Sequence, residues 1–288
     1  MNQVKKLKNS DYAVVGVIVA ILLIGLTISV LSVIQLAFVP NWMEQREAEH
    51  MDLIADQFSQ LKYAIDIQSV LGVEDIPVSV PITLGSDDIP YFNSEKSYGY
   101  LDLIPNYVNI SFENDTFSSY YLIGIVKYSS SNAYFLDQSY IYESGAIIKG
   151  QSGSNIMTVK PNLKTRIAGT NVTDINLTIV NIRGVGEKLS ASGYGNYPIR
   201  IEFLSSSDIT IYGVNFINLT SANYKSWHLL INNTLNNSGL VYGAGYTITT
   251  SEIDKNISVE IKDEQTVNVF LKDIEINAQI APGWVEES

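Results

Sequence analysis

The sequence contains no cysteine and only two histidines, His50 and His228. The first absence excludes disulfide scaffolds, thiol nucleophiles and Cys-ligated zinc. Two histidines so far apart leave little for a His-rich metal centre. Bases are scarce too, with 18 Lys+Arg against 30 Asp+Glu in 288 residues and a net charge of −12. Neutralising phosphates needs clustered Lys and Arg, so nucleic acid is excluded as a partner. G-x-S-x-G, H-E-x-x-H and a Gly-rich loop closing on Lys-Ser/Thr are all missing. The pairs Gly184/Gly186, Gly193/Gly195 and Gly243/Gly245 lack the third glycine of a dinucleotide loop and read as turns and bulges. No catalytic residue, cofactor site or metal-ligand set emerges, and the chain reads as a non-enzyme.

The scarcest thing locally is charge. From Tyr12 to Met43 there is no charged side chain, and residues 13–39 read AVVGVIVAILLIGLTISVLSVIQLAFV. About 20 apolar residues span a hydrocarbon layer as a helix. A cleavable secretory signal has an apolar region of roughly 7–15 residues and a small-residue cleavage site; this run is longer and ends in Phe38-Val39-Pro40-Asn41-Trp42. Residues 11–40 are therefore expected to form a transmembrane helix. Lys5, Lys6 and Lys8 precede it without an acid, whereas Glu44, Glu47 and Glu49 surround a lone Arg46 beyond it. Basic residues near a span favour the cytoplasm. Residues 1–10 then form a basic cytoplasmic leader, and the rest lies outside a single-pass membrane protein with the lipid bilayer as its first partner. Tyr12 and Trp42 mark the two interfaces.

Residues 41–72 read as a juxtamembrane amphipathic helix. Met51, Ile54, Phe58, Leu61 and Ile65 step by 3 and 4, an a/d stripe two to three heptads long. It packs either on neighbouring helices or on the chain's own ectodomain. Pro40 lacks a backbone donor and is expected to kink or break the helix, and Gly72 to stop it. His50, beside Glu47 and Glu49, reads as a solvated residue.

Beyond Gly72 the period changes. Apolar and β-branched runs at 107–112, 120–128, 139–150, 156–160, 175–182, 199–204, 209–212, 227–231, 246–250, 257–261, 267–271 and 274–280 are separated by Gly, Asn and Ser. Ile175, Leu177 and Ile179 alternate with Asn176 and Thr178. This predicts a mainly antiparallel β-sandwich over 73–288, with a division into two layers or lobes near 165–170. The fold class is α+β. His228 follows Trp227 in an expected strand and reads as a core or sheet-face residue. Asp87-Asp88 lacks the spacing of a calcium loop. Ten tyrosines crowd residues 91–142 and suit half-buried sheet faces, with a carbohydrate or protein contact surface as the second reading. Asn-X-Ser/Thr occurs at Asn109, Asn114, Asn171, Asn176, Asn218, Asn232, Asn236 and Asn256, all on the side placed outside, as candidate N-glycosylation sites.

The short basic leader, Asp11-Tyr12-Ala13-Val14-Val15-Gly16 and the long apolar helix together resemble the class III signal region of archaeal type IV pilins and archaellins. In that family a membrane peptidase cuts between leader and helix, which implies a cut between Ser10 and Asp11; Asn9-Ser10 stands where the family usually has Gly or Ala. Residues 44–58 (EQREAEHMDLIADQF), followed by a β-rich region containing Tyr142-Glu143-Ser144-Gly145-Ala146-Ile147, look like uncharacterised archaeal pilin-like membrane proteins with large ectodomains. The resemblance implies a surface structural or adhesive subunit, with other pilin-like subunits as partners through the apolar helix. The alternative is a stably anchored ectodomain binding an extracellular glycan, ligand or cell-envelope partner.

Overall fold

The computed structural model describes residues 3–86, 97–262 and 264–281, with side chains described from residue 14 onward. Helix α1 (Gln3–Val33) passes through one π turn, Ile34–Phe38, into α2 (Val39–Leu71). Val14–Leu71 holds a stretch of mean hydropathy 3.0, long and apolar enough to cross a membrane. Pro40 does not break the helix. It is the second residue of α2, and the turn before it widens so that the Val39 N–H donates to Ile34 O, five residues back. A wide turn relieves the clash between a proline ring and the preceding carbonyls. Gly72 ends α2 in the left-handed region (φ 60°), its N–H donating to Gln68 O, the conformation glycine adopts at no steric cost.

Fourteen strands follow among the described residues: β1 (Val78–Thr83), β2 (Tyr98–Glu113), β3 (Ser118–Ser131), β4 (Gln138–Glu143), β5 (Ala146–Gln151), β6 (Ser154–Val159), β7 (Leu163–Gly169), β8 (Val172–Gly184), β9 (Ser190–Gly193), β10 (Asn196–Ile211), β11 (Phe216–Thr220), β12 (Tyr246–Ser251), β13 (Asn256–Ile261) and β14 (Thr266–Ile280). One sheet has the order β1-β10-β14-β8-β7. The other runs β12-β13-β11-β2-β3-β4-β5-β6, with β9 beside β2. All pairings are antiparallel except β8 with β14, which run parallel from Val172/Thr266 to Gly184/Ala278. The expected division near 165–170 is not a boundary: β7 runs through it and pairs with β8. Both sheets draw strands from early and late in the chain.

The long strands serve two apolar cores in succession. On β8, Ile175, Leu177 and Ile179 enter one core, and Val180 and Ile182 enter the other. On β14 the change falls between Leu271 and Ile274, and on β3 between Ile125 and Val126. Successive strand residues face opposite sides, so two adjacent buried residues mark the point where a strand turns its other face inward. β2 and β10 achieve the same with register shifts, between Ile104 and Val108 and between Phe203 and Ser205, as bulges do. At the crossover β3 meets β8. A Cβ on Gly124 would lie 2.1 Å from Ile182 O, and the Gly124 N–H donates to Asn181 Oδ1 at 2.9 Å. Only a residue without a side chain allows this approach.

The expected strand at 227–231 is instead part of α3 (Tyr224–Asn237), whose buried Tyr224, Trp227, Ile231 and Leu235 recur at helical spacing. His228 is half-buried there and not in the core. The first core lies among both sheets and α3; the second lies among both sheets and α2.

The directions of the elements define two ends of the head. β1 runs back along α2, with Ile76 beside Gln68, Thr83 beside Gln57 and Leu84 beside His50. The near end of the head therefore lies beside the start of α2. It carries Leu84–Ser86, the start of β2, residues 193–195 and the β3–β4 loop at 132–137. β2 starts against Leu84, where Gly99 abuts its carbonyl, and runs to the far end, where α3 sits over the first core.

Candidate functional site

Two fully buried carboxylates, Glu47 and Glu143, and the seam between α2 and the head hold most of the polar chemistry. Met51, Ile54, Phe58, Leu61 and Ile65 are all at most 1% exposed and belong to the second core. Of the two expected partners for this stripe, the structure supplies the chain's own head. The stripe therefore faces inward, and it offers no surface for a neighbouring helix.

The same 3–4 stepping continues beyond the apolar stripe to Glu47 at one end and Gln68 at the other, both buried. Glu47 accepts three consecutive backbone N–H bonds from the β3–β4 loop: Ala133 to Oε1 at 3.0 Å, Tyr134 to Oε2 at 2.8 Å and Phe135 to Oε2 at 2.6 Å. His50 is buried and not solvated as its acidic neighbours suggested. Its Nε2 lies 3.1 Å from the Tyr128 hydroxyl and 3.3 Å from Leu84 O. The Tyr128 O–H donates to Leu84 O at 2.9 Å, and burial pushes its phenol far above the ordinary range. Gln57 accepts the Thr83 N–H at 2.9 Å and donates to Thr83 Oγ1 at 3.0 Å, closing the outer edge of β1. Gln68 donates to Ile76 O. Four polar side chains of α2 thus bond the head at four heights. Continuing the heptad stepping in both directions picks out Glu47 and Gln68; no local signal marks His50 or Gln57.

The second carboxylate, Glu143, ends β4 at a tight turn in which Ser144 and Gly145 both have positive φ. It is fully buried. Ser221 Oγ donates to Oε1 at 2.7 Å, Trp227 Nε1 to Oε1 at 2.6 Å and Asn223 Nδ2 to Oε2 at 2.5 Å. Burial pushes its carboxyl up, and the three donors pull it back. Asn223 precedes α3, so the carboxylate fixes the start of that helix beside its positive end. With both oxygens engaged and no exposure, Glu143 positions structure and cannot reach a substrate. Asp174 is likewise committed: hydrogen bonds from Arg166 and Asn268 hold its carboxyl below the usual range.

The cavities match this picture. One beneath α3, about 40 Å³, is lined by apolar side chains including Phe112, Leu177, Leu219, Trp227 and Ile231, and such a lining stays dry. A cleft of about 140 Å³ lies between Arg46, Glu49 and His50 of α2 and Thr83, Gly85 and Ser86. A shallow surface depression holds His228 with Lys225 and Glu252. Among the described residues no three His, Cys, Asp or Glu converge as metal ligands; Asp87-Asp88 lies outside the described residues. The side chains of Ser10 and Asp11 also lie outside them.

Every candidate glycosylation asparagine lies on an element or turn of the far half. Asn109, Asn171, Asn176 and Asn236 are exposed, and Asn114, Asn218, Asn232 and Asn256 are half-buried. Asn114 Nδ2 donates to Tyr212 O at 3.0 Å while its Oδ1 accepts the N–H groups of Thr116 and Phe117, building the β2–β3 turn. Asn218 Nδ2 donates to Glu113 Oε1 at 3.0 Å. Asn232 Oδ1 accepts the Tyr246 hydroxyl at 2.7 Å. Of the crowded tyrosines, Tyr128, Tyr140 and Tyr142 are core residues, whereas Tyr98 packs between Tyr100 and Tyr194 at the near end, at 5.0 and 5.2 Å between ring centres.

No protein-family model, curated protein or solved structure matches this chain.

Proposed function

We propose that the chain is a pilin-like subunit of a cell surface, held in a membrane by its N-terminal helix and acting as a structural or adhesive component without catalysis. The observation that carries this reading is the division of one continuous helix into a bare apolar half and a half built into a β head. Residues 14–38 are exposed along their length apart from a partly shielded Ile34, and α2 is sealed along one face. A bare apolar helix of this length needs a lipid bilayer, or the helices of other subunits, around it. The lysines before it and the acids after it favour a cytoplasmic N-terminus and an external head. The buried carboxylates support a non-catalytic role, since each is consumed by donors of the fold.

A second reading, a stably anchored ectodomain that binds an envelope partner, is favoured by the burial of the α2 stripe, which removes that face of the helix from helix–helix assembly. N-terminal sequencing of the mature protein from cells separates the two. A chain starting at Asp11 and recovered with surface filaments is expected for the processed pilin-like subunit. A chain starting at Met1 and confined to the membrane fraction overturns it in favour of the anchored ectodomain.

A further inference from the structure

We propose that the near end of the head rests on the lipid–water interface, contacting it through Leu136 on the β3–β4 loop and Tyr194 beside β9. This rests on the membrane-anchored reading above. The head begins directly above the bare stretch of helix. The bare stretch 14–38 measures about 37 Å at 1.5 Å per residue, against roughly 30 Å of hydrocarbon and 40–45 Å with both headgroup layers. Val39 is already 5% exposed and Met43 0%, so shelter of the helix starts at the next residue. There is no bare segment left over to act as a stalk.

The side chains at that end suit an interface. Trp42 is 43% exposed and packs near Phe38. Glu47, about 7–8 Å further along the helix, holds the β3–β4 loop by its backbone, and that loop presents Leu136 at 53% exposure. Tyr194 is 51% exposed beside Gly85, supported by the ring of Tyr98. Aromatic side chains with a polar tip concentrate where acyl chains meet headgroups. All eight sequons lie in the far half, so glycans there would leave the near end bare.

The absence of cysteine permits single-cysteine labelling of the full chain. Nitroxides placed by Leu136→Cys, Tyr194→Cys, Leu22→Cys and Phe117→Cys are read in phosphatidylcholine vesicles by their relative accessibility to oxygen and to an aqueous nickel chelate. Phe117 lies on the β2–β3 turn at the far end and is 53% exposed. The oxygen-to-nickel ratio at both 136 and 194 is expected to exceed that at 117 several-fold and to fall below that at 22. A deep label at 22 with either near-end label as aqueous as 117 overturns the docked head while leaving the anchor intact. A label at 22 as aqueous as 117 overturns the anchor itself. Adding anionic lipid is expected to leave the ratios unchanged, because the contact is apolar and aromatic; a several-fold rise with phosphatidylglycerol would overturn that assignment in favour of an electrostatic contact.

Discussion

Replacing Glu47 tests whether the α2 seam is held by its polar ends or by its apolar stripe alone. The carboxylate accepts three backbone N–H bonds and is itself fully buried. Hydrogen bonds to charged groups are worth about 1.5–3 kcal/mol each before the cost of burying the charge is counted. Glu47→Ala removes the acceptor and leaves three donors. That of Ala133 lies on an exposed residue and rehydrates cheaply, whereas those of Tyr134 and Phe135 lie on half-buried ones. The expected net loss is about 2–4 kcal/mol. Glu47→Gln keeps one oxygen for two of the donors and turns an amide against the third, for a loss of about 1–2 kcal/mol. At about 2–4 °C per kcal/mol, the alanine variant should melt on the order of 5–15 °C lower in detergent, with the glutamine variant between it and the parent. Amide exchange at Ala133, Tyr134 and Phe135 should accelerate in the same order. An alanine variant with unchanged melting and unchanged protection at these amides would refute the reasoning.

Gly124→Ala should cost about 3 kcal/mol, the upper end of overpacking penalties, because the added carbon meets the Ile182 carbonyl and not a movable side chain; Gly25→Ala, in open space, serves as the control, and equal urea midpoints for the two would sink the crossover account. Glu143 binds its proton more tightly folded than unfolded, so its contribution to stability falls as pH rises from the ordinary carboxylate value through its raised one. Urea midpoints over that window should decline less steeply in Glu143→Gln than in the parent, and parallel slopes would contradict this. Mass spectrometry of the native protein should find glycans first at Asn109, Asn171, Asn176 and Asn236, whose side chains are exposed. Modification confined to Asn114 and Asn218, whose amide nitrogens are already donating, would count against the fold of the far end.

The helix and most strands are legible because their periods are local. Gly72 and the 3–4 stepping mark the end of α2 and its buried face before any contact is known. The structure departs from the sequence pattern where a run is too short to show its period. Five residues at 227–231 are too few to distinguish a strand from a helix whose period needs Tyr224, Ile231 and Leu235 to become visible. Residues 199–204 and 209–211 form one strand, but Ser205–Asp208 between them are exposed and look like a loop. Lys272 and Asp273 similarly sit where β14 changes faces. His50 and Glu143 escaped because their partners, Tyr128 and Trp227, are 78 and 84 residues away. Nothing near them in sequence signals a buried polar group.

The seam along α2 also sets how the molecule carries load. A tug on the far end passes down the long strands to the helix by two routes, through β1 and its flanks to Gln68, Gln57 and His50 and through the β3–β4 loop to Glu47. These links are spread along the axis, so a pull parallel to α2 strains them together and does not peel them one by one. Force directed sideways would instead load them one at a time, with the end nearest Gly72 held by the chain itself, which passes there from α2 into β1. The head is thus fastened like a blade along its handle, strongest along the axis of α2.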